Sequence, residues 1–223
     1  MPVKYENITI MTIPLKYRRT EEIFNTISHA IGIPISIAVI SLLVVFASLN
    51  GTAWHIVSYS IFGTSMLLLY TASTLFHSAK NIRKKYYLNK FDHAAIYLLI
   101  AGSYTPIALV SLNGWIGWTL FGVIWTLAFA GLAFKIWFYN QRMRKVSAWL
   151  YVAMGWLILL AIVPLVKSTP TDALWFLIAG GVSYTLGALF YLRKNKRFSH
   201  FIFHLFVLGG SICHFFCFLM LVI

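Results

Sequence analysis

Long apolar blocks separated by short polar intervals constrain this chain more than any other feature of its sequence. Seven blocks recur, at roughly Ser28–Leu49, Ala53–Phe76, His93–Leu112, Trp115–Trp137, Val146–Val166, Ala173–Leu192 and His200–Val222. A helix needs about 20 such residues, at ~1.5 Å each, to cross a ~30 Å hydrocarbon layer. With 60% of its 223 residues hydrophobic and 10% charged, the chain has too little polar surface for a soluble domain of this size. The reading is an all-α polytopic protein of the cell membrane, with seven transmembrane helices and membrane lipids as its partners.

Charge sets the expected orientation. Of the 18 basic residues, only Lys167 falls in the connections after the first, third and fifth blocks. The others lie in the first 22 residues, in the connection after block two (Lys80, Arg83, Lys84, Lys85, Lys90), at the end of block four and beyond it (Lys135, Arg142, Arg144, Lys145) and after block six (Arg193, Lys194, Lys196, Arg197). The positive-inside rule then places the N-terminus in the cytoplasm and the C-terminus outside. Residues 1–22 read as a short cytoplasmic tail without a signal-peptide apolar core, and 23–223 as a single transmembrane domain. Topology and contact with anionic lipid account for the net charge of +13, so no nucleic-acid partner is expected.

The connections are short, so neighbouring helices should be antiparallel and adjacent. The longest, Ser78 to Asp92, holds NIRKKYYLNKF, which reads as an amphipathic stretch at the headgroups anchored by Tyr86, Tyr87 and Phe91. Gly102 with Pro106, Gly180 with Gly181 and Gly209 with Gly210 read as kinks or close helix contacts. The two cysteines, Cys213 and Cys217, stand four apart on one block and read as packed apolar residues.

The polar residues at the block ends gather in one layer. His77 ends block two, Asp92 and His93 begin block three, His200 and His204 begin block seven, and His29 begins block one, all on the basic side. Residues four apart share a helix face, so His200 and His204 can aim two imidazoles at one point. His77 is the best third member. Three imidazoles with a fourth position open describe a catalytic-type zinc site. Asp92 has two possible roles there, as general base toward a metal-bound water or as the orienter of a ligand histidine. A histidine pair at a helix start can equally be interfacial. His29 fits a helix-start polar residue, His93 carries no assignment, and His55 belongs to the opposite interface. His214 lies ten residues past His204, about 15 Å deeper, too far to ligate the same ion. It shares a face with His200 and Ser211, which suggests a polar cavity reaching into the bundle.

EEIFNTISHAIG at Glu21–Gly32, STLFH at Ser73–His77, KFDHAAIYLLIAGSYTP at Lys90–Pro106, AMGW at Ala153–Trp156 and HFIFHLFVLGGSICHF at His200–Phe215 together resemble the hemolysin III family, within the progestin and adiponectin receptor group. The resemblance runs from about Glu21 to the C-terminus. It implies a zinc ion held by His77, His200 and His204, with Asp92 toward the water on the metal and Ser73 in the site one turn before His77. Across the group and in the similar alkaline ceramidases, such a site implies hydrolysis of lipid amides. For the bacterial members it implies cytolysis or membrane homeostasis. The chain lacks the long N-terminal region of the receptors, which argues against hormone reception. Two functions follow as expectations: a zinc-dependent hydrolase of a lipid amide or ester, with Asp92 handling the proton and Ser73 stabilising the oxyanion, or a non-catalytic sensor or pore-forming protein with a structural zinc.

Overall fold

The computed structural model describes residues 15–138, 143–193 and 196–223, with the side chains of 15–18 excepted. Most of the expected tail, together with Arg142 and Lys194, lies outside the described residues. Eight α-helices follow one another: α1 (Leu15–Asn50), α2 (Ala53–Ser78), α3 (Ile82–Pro106), α4 (Gly114–Trp137), α5 (Arg144–Gly155), α6 (Ile162–Ser168), α7 (Thr171–Leu192) and α8 (Ser199–Leu219). Among the described residues seven stretches are long and apolar enough to cross a membrane, because α5 and α6 share one, Arg144–Ser168.

α1 packs along α2, α2 along α3 and α7 along α8, while α5 bridges α3 and α7. Contact between α1 and α8 closes the ring, and α4 lies against α3. α3 is the most interior helix, burying small residues such as Ala94, Ala95, Ala101 and Gly102 that let its neighbours approach. Outward faces carry Ile, Leu, Val and Trp, including Leu49, Trp115, Leu160 and Trp175, as a lipid-facing surface requires.

Two helices depart from the block boundaries. α1 begins at Leu15, ahead of the first block, and α3 begins at Ile82, ahead of the third. The amphipathic stretch NIRKKYYLNKF is therefore the first turns of α3 itself rather than a separate interfacial segment. The cause is local: the Asn81 side chain caps the helix by accepting the Lys84 N–H at 3.0 Å, and no Pro interrupts the helix before Pro106. Tyr86, Tyr87 and Phe91 remain exposed along these turns.

Two breaks shape the interior. Pro106 cannot donate to the turn before it, and the helix widens into a π-helical segment, Ile107–Leu112, which ends where Asn113 adopts φ 48°. The fifth span breaks between α5 and α6 into a 3₁₀ segment, Leu157–Ala161. Tyr104 of α3 satisfies the groups this break exposes. Its hydroxyl lies 2.8 Å from the carbonyls of both Met154 and Gly155 and accepts the Ile158 N–H at 2.9 Å. AMGW is thus the sequence of a broken span.

Candidate metal centre

α2 ends where α8 begins, so His77 on the last turn of α2 meets His200 and His204 on the first turns of α8. One ring nitrogen from each of the three lies within 4.8 Å of the others. The Nε2 atoms of His77 and His200 stand 3.2 Å apart. Tetrahedral zinc, with Zn–N near 2.0–2.1 Å, places its nitrogens about 3.3 Å apart, so the spacing fits.

The outer nitrogens are already engaged. His77 Nδ1 donates to Glu22 Oε2 at 3.0 Å, and the same oxygen accepts from Lys85 Nζ at 2.9 Å. His204 Nδ1 faces the Asn25 carbonyl at 3.2 Å and Ser28 Oγ at 3.0 Å. A carboxylate and a carbonyl can only accept, so both Nδ1 atoms carry the proton and each Nε2 keeps its lone pair, that of His77 facing His200 Nε2. This is the support that metal-ligating imidazoles need from their surroundings. All of it comes from one face of α1, where Glu22, Asn25 and Ser28 or His29 recur at helical spacing. That polar face was present in EEIFNTISHAIG, but Glu22 falls within the segment read as tail, and its role went unseen.

His29 is a fourth imidazole in the layer. Its ring stacks on that of His204, centroids 3.5 Å apart and 14° from parallel, and neither of its nitrogens has a partner. His93 is turned elsewhere: Nδ1 faces the Asn89 carbonyl at 2.7 Å and Nε2 meets the Tyr191 hydroxyl at 2.9 Å, which ties α3 to α7. His55, at the other end of α2, pairs with Thr52 Oγ1 at 3.0 Å and caps that helix.

Asp92 and Ser73 occupy different positions. Asp92 is buried, with Oδ2 3.6 Å from His93 Nδ1, and it lines a cavity that His29, His200 and His204 also line. It is not one of the clustered ligand-bearing residues. Ser73, one turn before His77 on α2, is fully buried, and its hydroxyl has no partner, whereas Thr74 beside it bonds back to the Tyr70 carbonyl at 2.7 Å. An orphaned hydroxyl next to a ligand set fits a site that takes a further group.

The cavity, about 210 Å³, runs from the histidines into the bundle between α3, α5, α6, α7 and α8. Its wall is predominantly apolar, and Leu159, Ile162, Val166 and Ile178 both line it and lie exposed on the lipid-facing surface. It therefore reaches toward lipid between the broken fifth span and α7. His214 lines its deeper part, which places His200, His204 and His214 on one cavity.

A profile of the family described as "Haemolysin-III related" matches residues 17–215. Hemolysin-3 of Bacillus cereus is 46% identical over 218 residues, covering 98% of this chain and 97% of that protein. The Hemolysin-3 homolog of Bacillus subtilis (strain 168) is 47% identical over 197 residues, 88% of this chain and 92% of its own. The human Monocyte to macrophage differentiation factor is 28% identical over 176 residues, 75% of this chain and 71% of its own.

Proposed function

We propose that this chain, which belongs to the haemolysin-III-related family and through it to the progestin and adiponectin receptor group, is a zinc-dependent hydrolase of membrane-lipid amides or esters. One observation carries the reading: Asp92 and two members of the three-histidine cluster, His200 and His204, line an apolar cavity that reaches the lipid-facing surface. His77, His200 and His204 would hold the metal. When bound, zinc supplies a Lewis acid that polarises a carbonyl and makes water acidic near neutral pH.

The chain's own residues do the rest. The apolar wall takes the lipid chain and excludes water, leaving the polar bond at the histidine layer. Asp92, close to that layer but outside the ligand set, takes the proton from the attacking water and returns it to the leaving group. Ser73, with its hydroxyl unclaimed, is the donor assigned to the developing oxyanion. Glu22 and the Asn25 carbonyl hold two imidazoles in the tautomer that presents Nε2. Positive charge concentrated at the histidine end supports placing this layer at the cytoplasmic leaflet, with the N-terminus inside.

A second reading, zinc as a clamp in a cytolytic or sensing protein, draws on the name hemolysin borne by both Bacillus relatives and on the way Glu22, His77 and His204 tie α1, α2 and α8 together. Release of fatty acid from an amide-linked lipid by the purified protein separates the two. Turnover abolished by Asp92→Asn with zinc retained supports the hydrolase. Stoichiometric zinc without turnover in the wild type supports the clamp, and a wild type that binds no zinc removes both.

A further inference from the structure

The deep end of the cavity carries polar groups that the reaction does not use. Ser103 of α3, Tyr184 of α7 and His214 of α8 all line it. Ser103 lies eleven residues beyond Asp92, and His214 ten beyond His204, so both sit about 15 Å below the histidine layer.

Two of the three present a buried polar atom that makes no close hydrogen bond. Ser103 is 6% exposed and His214 8%, yet Ser103 Oγ and His214 Nδ1 have no hydrogen-bond partner within 3.5 Å, although Ser103 faces the Tyr184 hydroxyl and the His214 ring also faces the Leu177 backbone carbonyl. Hydroxyls in these helices ordinarily turn back onto their own backbone: Ser36 onto Gly32 at 2.7 Å, Ser65 onto Phe62 at 2.6 Å, and Thr105, two residues from Ser103, onto Ala101 at 2.8 Å. Ser103 does not. The His214 ring is held edge-on to Tyr184, centroids 5.3 Å apart, and fills the space a side chain at Gly180 would need.

Tyr184 is oriented by a saturated neighbour. Ser211 donates to the Val207 carbonyl at 3.1 Å and accepts from Tyr70 at 2.7 Å, so its contact with Tyr184 at 2.9 Å uses the tyrosine's own proton. Tyr184 is left with acceptor capacity only. One donor-acceptor, one acceptor and one imidazole nitrogen of either kind therefore line the same void.

We propose that this deep end is a polar subsite that binds a hydroxyl carried partway along a lipid chain whose polar end lies at the histidine layer. A hydroxyl suits it better than a ketone, because it can accept from Ser103 while donating to His214 or Tyr184, whichever tautomer the imidazole adopts. The subsite rests on the preceding reading only in taking the cavity to hold a lipid chain, and it requires no turnover.

The test is displacement of a fluorescent fatty acid from the purified full chain in micelles. The competitors are saturated fatty acids of one length, plain or with a single hydroxyl stepped along the chain. One position, or two adjacent ones, should bind roughly three- to tenfold more tightly than the plain acid, the worth of a neutral hydrogen bond. Positions that set the hydroxyl against the apolar wall should bind less tightly than the plain acid. Ser103→Ala and His214→Leu should each remove the gain while leaving plain-acid affinity and zinc content unchanged, and Ser103→Ala alone carries the test should His214→Leu fail to fold. Plain-acid binding with no favoured hydroxyl position, as a pocket satisfied by water would give, overturns the subsite alone. A gain that survives Ser103→Ala and any folded His214→Leu also overturns it. No fatty-acid binding by the wild type overturns the lipid reading of the cavity as well.

Discussion

Glu22 Oε2 accepts the Nδ1 proton of His77 at 3.0 Å, so a carboxylate of the first span decides which nitrogen of a second-span imidazole faces the centre. Removing such a partner ordinarily weakens metal binding by about 10- to 100-fold. Glu22→Leu should therefore lower zinc affinity by that factor in a chelator competition titration, and Glu22→Gln, which keeps an acceptor oxygen, by less. Equal affinity in all three proteins would show that the contact does not orient the ring.

Ligand and proton-handling residues should separate. His200→Ala should lose stoichiometric zinc, measured by elemental analysis of purified protein. Asp92→Asn should keep it while lipid amide hydrolysis falls by about 10²- to 10⁴-fold. Loss of zinc in Asp92→Asn would make the aspartate a ligand and close the fourth position.

Gly181 lines the cavity, and a Cβ built on it meets nothing within 4 Å. Gly181→Leu should therefore fold normally and extend into the void. Binding of long-chain fatty acids should weaken at least tenfold while zinc content stays unchanged. Unaltered binding would place the lipid chain elsewhere.

Tyr104→Phe should destabilise the protein, because two carbonyls and one N–H at the break in the fifth span lose their partner together. A buried polar group left unsatisfied costs about 1–3 kcal/mol. Thermal unfolding in detergent should show a lower midpoint with zinc still bound at low temperature. A midpoint equal to wild type would mean that water takes over the role.

The seven spans were legible because block length and the absence of charge suffice to define them. The layer of His77, Asp92, His200 and His204 was legible because basic connections set a common depth. Glu22 was not, since a carboxylate beside Arg18, Arg19 and Glu21 looks like part of a solvated tail until α1 is seen to run unbroken through it. The head of α3 misled for the same reason: polar composition at Asn81–Phe91 says where the hydrocarbon ends, not where the helix does. The break at Gly155–Trp156 depends on Tyr104, fifty residues away on another helix, and no local pattern encodes that pairing.

α1 meets α8 only because the ring closes, and the centre draws on Glu22 and Asn25 from the first span, His77 from the second and His200 and His204 from the last. During synthesis the early spans emerge long before their final partner. The site is thus a late event in biogenesis, absent from every shorter nascent chain and completed when the seventh span docks.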